Sequence, residues 1–118
     1  MLVVEDDAAT AEVVCEAFAD EGHRAEVVPD AEAALARRGE GWDVFVIDGV
    51  GASYTEPDDA DRTTFARLGA HGPVVVASAR DWARPEAAEA LGVAAVLAKP
   101  YQLDDLLAAV RRAAETRS

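Results

Sequence analysis

A single cysteine, Cys15, stands in a chain of 118 residues. No internal disulfide can form, and a reducing compartment, the cytoplasm, is the natural setting. Basic residues are scarce too: 11 Lys and Arg face 23 Asp and Glu, for a net charge of −12. Phosphate backbones are held by clustered Lys and Arg, so no nucleic-acid partner is expected. Such a charge instead favours partners with basic patches. No apolar run approaches the roughly 20 residues of a membrane-spanning helix, so no membrane association is expected. The N-terminus reaches an acidic cluster, Glu5-Asp6-Asp7, where a signal peptide would carry its apolar stretch. The two histidines, His23 and His71, have no metal-ligand spacing. With no linker, repeat or low-complexity segment, one domain over residues 1–118 is expected, without an output domain.

What is present is a regular alternation. Hydrophobic residues make up 51% of the chain, enough for a core that needs no metal or disulfide staple. MLVVE reads as a short buried strand. DDAATAEVVCEAFADEG reads as a helix with Ala11, Val14 and Phe18 on one face and Gly22 as its stop. RAEVV is a second strand; Pro29-Asp30 opens a helix through AEAALARR, with Asp30 as N-cap. WDVFVID is a third strand, GVGASYTEP a loop, and DDADRTTFARLGA a helix of weak pattern. GPVVVAS is a fourth strand. WARPEAAEALG is read as a helical segment with Pro85 in its first turn. VAAVLA is a fifth strand, and the last helix carries Leu103, Leu106, Leu107 and Val110 on one stripe. Strands that are apolar on both faces, alternating with helices, predict an α/β fold with a doubly wound parallel sheet.

In such a sheet the chemistry collects at the carboxyl ends of the strands. Four of these ends are polar here: Glu5-Asp6-Asp7, Asp48, Ser78 and Lys99-Pro100. If the strands are parallel, an acidic cluster, a hydroxyl and a lysine share one edge. Carboxylates held together repel, and a hard divalent cation such as Mg²⁺ relieves them through oxygen ligands. Asp48 could then act as a nucleophile toward a phosphoryl group, with the lysine sharing the charge of the transferring oxygens. Taken alone, each residue has a plainer role: Asp48 as a helix cap, Asp7 as a charge favoured at a helix N-terminus, Ser78 as a small strand-ending residue. The ordered set outweighs these.

LVVEDD, VFVIDG, VVVASA and LAKPY, in that order and separation, resemble the receiver domain of two-component response regulators, across essentially the whole chain. Ser78 follows Asp48 by thirty positions, the family's usual separation of acceptor and hydroxyl. The resemblance implies a flavodoxin-like (βα)5 fold with strand order 2-1-3-4-5. It implies phosphoryl transfer from a histidine kinase or phosphotransfer protein to Asp48, with Mg²⁺ beside it. Glu5 and Asp6 would form the acidic pair, with Asp6 the more direct ligand, and the backbone carbonyl of Val50 would complete the set. Ser78 would be the switch hydroxyl and Lys99 the phosphate-pairing lysine. The bond before Pro100 is commonly cis in the family, and X-Pro is where cis costs little. Phosphorylation would alter partner binding through the face of the fourth helix, fifth strand and fifth helix, in a monomer or weak dimer. Catalysis would be limited to the chain's own phosphorylation and slow dephosphorylation.

Three departures stand out. The loop after Asp48, DGVGASYTEPDD, lacks the family's usual proline position. Val96 occupies the position of the switch aromatic and cannot swing as a ring does, which leaves Tyr101 as an alternative aromatic readout. The first strand begins at Met1, with fewer leading residues than usual. The loop and Val96 support an alternative reading, a phosphorylation-independent adaptor on the same fold. An enzyme acting on a separate phosphorylated small molecule is less favoured, because no second general acid or base and no lid-sized insertion accompany Asp48.

Overall fold

The computed structural model describes residues 1–48, 59–80 and 82–116. Strands and helices alternate as β1 (Leu2–Val4), α1 (Ala8–Asp20), β2 (Glu26–Val28), α2 (Ala31–Ala36), β3 (Phe45–Asp48), α3 (Asp59–Gly69), β4 (Val74–Ser78), α4 (Ala87–Leu91), β5 (Ala95–Ala98) and α5 (Leu103–Thr116). The five strands form one parallel sheet in the order β2-β1-β3-β4-β5. This is the flavodoxin-like architecture expected from the sequence.

Strand periodicity divides the core in two. Leu2, Val4, Phe45, Ile47, Val74, Val76 and Val96 face one layer, where Ala34, Phe65, Leu68, Trp82 and Ala83 cover them. The intervening residues Val3, Val46 and Val75 face the other layer, packed by Val14 and Phe18 of α1 and by Leu106, Ala109, Val110 and Ala113 of α5. Both faces are therefore apolar, which is why the strands read as unbroken β-branched runs. Ala11, Val14 and Phe18 are the buried residues of α1, as the helical spacing predicts. On α5, Leu106 and Val110 are buried, while Leu103 and Leu107 pack at the rim of the same cluster.

The helix starts are chemically specified. Asp7 caps α1, its Oδ1 accepting from Ala9 N–H at 3.0 Å and its Oδ2 from the Thr10 hydroxyl at 3.0 Å. Asp30 caps α2 through Ala33 N–H at 2.8 Å. Gly22, just beyond α1, holds φ 84°, a left-handed conformation that glycine adopts without a Cβ penalty. At the other end of the sheet, Arg37 pairs with Glu26 at 3.0 Å and Glu40 at 2.9 Å, and its guanidinium lies 5.1 Å over the Trp42 ring.

The fourth helical segment differs from expectation. WARPEAAEALG does not form one helix from Trp82; α4 spans only Ala87–Leu91. Pro85 disfavours helical geometry at Arg84, so the chain turns before Ala87 instead. Trp82, 8% exposed, and Ala83 pack into the core in place of a helical turn. The β2 and β5 ends are also shorter than the apolar runs suggested. Among the described residues, no helix is long and apolar enough to cross a membrane.

Phe18 is fully buried between the sheet and α5, whereas Val13 on the same helix is 56% exposed. Phe18→Ala is expected to lower unfolding free energy by about 3–5 kcal/mol through lost burial and a residual cavity. Val13→Ala should stay within about 0.5 kcal/mol of the parent. Urea titration followed by circular dichroism checks both.

Candidate functional site

Register decides what meets at the carboxyl edge. Val4 is level with Ile47, so the next residues, Glu5 and Asp48, sit side by side on neighbouring strands about 4.8 Å apart. Asp48 is level with Ala77, and Ser78, one step further on β4, is level with Ala98, directly before Lys99. Among the described residues the buried polar or charged side chains are Glu5, Asp48 and Ser78, all three at this edge. A fold that hides so few polar groups and gathers them at one place identifies that place as the candidate site.

Asp48 ends β3 with only 6% exposure. Its Oδ1 is in ion-pair contact with the Lys99 ammonium. That oxygen accepts no aligned hydrogen bond from the described residues, so the Lys99 contact is one of charge. Its Oδ2 accepts a hydrogen bond from the Tyr101 hydroxyl at 3.1 Å. Burial and the Asp48 charge raise the Tyr101 phenol well above its ordinary value, which keeps it a donor. The Lys99–Pro100 peptide bond is cis. Ser78 Oγ accepts from Arg80 N–H at 3.2 Å. Val96 is a core residue of β5, level with Val76 and 2% exposed. Lys99 is the only lysine of the chain, a signal the sequence carries in plain view.

Glu5 supplies the second buried carboxylate. Its Oε1 accepts from Asp7 N–H at 3.0 Å, and among the described residues its buried Oε2 has no hydrogen-bond partner. Burial, and beyond it the neighbouring Asp48 and Asp6 carboxylates, push Glu5 up to about 7, against the lowering effect of the Asp7 N–H. Asp6 lies exposed at the rim. Among the described residues, no three His, Cys, Asp or Glu side chains are gathered as a metal-ligand group. Val50, whose carbonyl was expected as a ligand, lies outside the described residues, as does the unusual loop after Asp48.

The donor chemistry nevertheless fits a hard divalent cation. Glu5 Oε2 is buried without a hydrogen-bond donor among the described residues, Asp48 Oδ1 is met by the charge of Lys99, and a third carboxylate stands at the rim. Cys15 is half-buried, and burial raises its thiol pKa.

The sequence did not reveal the Tyr101–Asp48 contact. The two residues lie 53 positions apart, on different elements. Their meeting depends on how the turn into α5 folds back over the end of β3, which no local pattern encodes.

The fold is that of response-regulator receiver domains. A receiver domain of a Francisella response regulator superposes with a TM-score of 0.80 at 24% identity, over 99% of this chain and 97% of its own. The beryllofluoride-activated NtrC receiver domain gives 0.67 at 21%, over 99% and 94%. A CheY-like receiver domain protein from Methanospirillum hungatei gives 0.70 at 18%, over 97% and 91%. No family model matches the chain, and no curated protein matches it by sequence.

The raised Glu5 pKa has a signed consequence for stability. Between its ordinary value of 4.5 and about 7, the native state keeps a proton that the unfolded chain releases. Stability from this group is therefore highest below that window and falls as pH rises through it. Without divalent cations, the parent's melting temperature should fall across this interval, and Glu5→Gln should reduce that slope. Thermal melts in EDTA at a series of pH values check it.

Proposed function

We propose that this chain is a receiver that accepts a phosphoryl group on Asp48 from a phosphohistidine of a kinase or phosphotransfer protein. The observation that carries the reading is the buried Asp48 carboxylate at a strand end, flanked by Glu5 just beyond β1 and paired with Lys99. A buried acid next to another acid is costly unless it serves a purpose, and a rigid strand displays it for chemistry.

In the proposed step an Asp48 Oδ attacks phosphorus. The O–P bond forms as the P–N bond to the donor imidazole breaks, and its electron pair stays on nitrogen. Lys99 follows the charge from the carboxylate to the phosphoryl oxygens, and the Ser78 hydroxyl donates to one of them. Glu5, Asp6 and Asp48 would hold Mg²⁺, with the Val50 carbonyl as a further ligand; when bound, the ion offsets the negative charge of donor and acceptor. Water later hydrolyses the acyl phosphate and restores Asp48. The readout is a change in affinity for a protein partner at the α4–β5–α5 face. A basic partner surface suits a chain of net charge −12, and a cytoplasmic setting suits its single cysteine.

The second reading, an adaptor indifferent to phosphorylation, is favoured by Val96. Fixed in the core at 2% exposure, it has no ring to move with Ser78. The two readings separate on one variant: an adaptor binds its partner equally well as Asp48→Ala.

Incubation with acetyl phosphate and Mg²⁺, followed by intact-mass measurement, is expected to add one phosphoryl group to the parent and none to Asp48→Asn. Labelling that persists in Asp48→Asn would refute the acceptor assignment. So would labelling of the parent that is unaffected by EDTA.

A further inference from the structure

We infer that Tyr101 is a hydroxyl latch on the acceptor, which must release Asp48 before phosphorylation and is held away afterwards. The inference rests on the acceptor reading of Asp48 and adds a residue that controls its reactivity.

Both carboxylate oxygens of Asp48 are engaged, Oδ1 by the Lys99 ammonium and Oδ2 by the Tyr101 hydroxyl. The two contacts respond differently to an incoming phosphoryl group. Ammonium charge is non-directional, and a phosphoryl oxygen attracts it as a carboxylate oxygen does, so Lys99 can stay close throughout. The hydroxyl is directional and occupies a lone pair of Oδ2. With Oδ1 held by charge, Oδ2 is the oxygen whose release makes a nucleophilic lone pair available.

The surroundings give the ring both leverage and a destination. A cavity of ≈ 440 Å³ over the acceptor is lined by Thr10, Asp48, Ala79, Lys99, Pro100 and Tyr101. Tyr101 also lines the adjoining groove between α1 and α5, beside Ala9, Val13, Val14 and Leu103. The ring thus forms a wall shared by two spaces, one over the acceptor and one between α1 and α5. The ring is half-buried against the apolar cluster under α5. Its hydroxyl can leave Asp48 while its ring stays in apolar contact, turning toward the α1–α5 groove. Phosphorylation of Oδ2 turns a carboxylate acceptor into the weakly basic bridging oxygen of an acyl phosphate and fills the space the hydroxyl used, so the ring does not return until the phosphoryl group is lost.

The transfer itself is unchanged by the latch. With acetyl phosphate as donor, the Oδ2–P bond forms, the bond from phosphorus to the acetate oxygen breaks, and acetate departs with the electron pair. The Tyr101 proton remains on the phenol, which donates to water instead.

Tyr101→Phe keeps the ring and removes only the hydroxyl. A hydrogen bond to a charged group is worth roughly a factor of ten in equilibrium, so Tyr101→Phe is expected to gain phosphoryl from acetyl phosphate about five- to tenfold faster than the parent. In the parent labelled with 3-fluorotyrosine, the ¹⁹F resonance lost in Tyr101→Phe assigns Tyr101, and it should shift when beryllofluoride saturates the acceptor. A role confined to packing predicts equal rates, and a hydroxyl that assists the reaction predicts a slower variant; either result overturns the latch while leaving Asp48 as the acceptor. A Tyr101 resonance unmoved by beryllofluoride, with other resonances shifting, also overturns it. If neither protein gains phosphoryl or responds to beryllofluoride, the acceptor reading falls and the latch falls with it.

Discussion

Parallel pairing in register sets how far each strand of this sheet reaches, and the carboxyl edge depends on that alignment. β3 is central, hydrogen-bonded to β1 on one side and β4 on the other. Its last residue therefore stands between the ends of both neighbours. Because side chains alternate across a strand, a slip of one residue would exchange the two faces, placing Asp48 where Ile47 now packs. The apolar faces that Val46 and Ile47 must fill on opposite sides prevent the slip. Core packing and site geometry are thus one constraint: the residues that bury the sheet also hold two carboxylates next to each other.

That proximity creates the electrostatic character of the site. Glu5 and Asp48 are each under a tenth exposed, and burial together with the neighbouring Asp48 raises the Glu5 carboxyl. The structure answers with one ammonium and one phenol on Asp48 and a backbone N–H on Glu5. Among the described residues, Glu5 Oε2 remains without a hydrogen bond. Such incomplete satisfaction is rare in protein interiors, and here it falls where a cation or a transferring group would complete the set.

Much of this was legible in the sequence because it is written locally. LVV, FVID and VVVAS are short apolar runs that only a two-sided buried strand explains, with Glu5 following the first and Asp48 and Ser78 ending the other two. Asp30 and the Ala11-Val14-Phe18 face follow from capping and helical period. What escaped the sequence depends on non-local geometry. α4 was overestimated because Ala-Glu-rich composition favours helix throughout WARPEAAEALG, while the constraint of Pro85 on Arg84 and the pull of Trp82 into the core override it. The partner of Tyr101 escaped because a contact across 53 residues has no signature in spacing. Likewise, Asp6 and Glu5 look equivalent in sequence, and only the fold buries one and exposes the other.

The brevity of α4 bears on how a change at the strand ends could spread. It has five residues and no fully buried side chain, with only Ala87, Ala88 and Leu91 resting partly on the core. The anchoring beneath it comes from Trp82 and Ala83, which precede the helix. This short helix is therefore a thin cover, held on the core by Trp82 and Ala83 before it and by Val93 after it. Its amides should open to solvent at far smaller free-energy cost than those of α1 or α5, so this segment can be remodelled while the sheet stays intact.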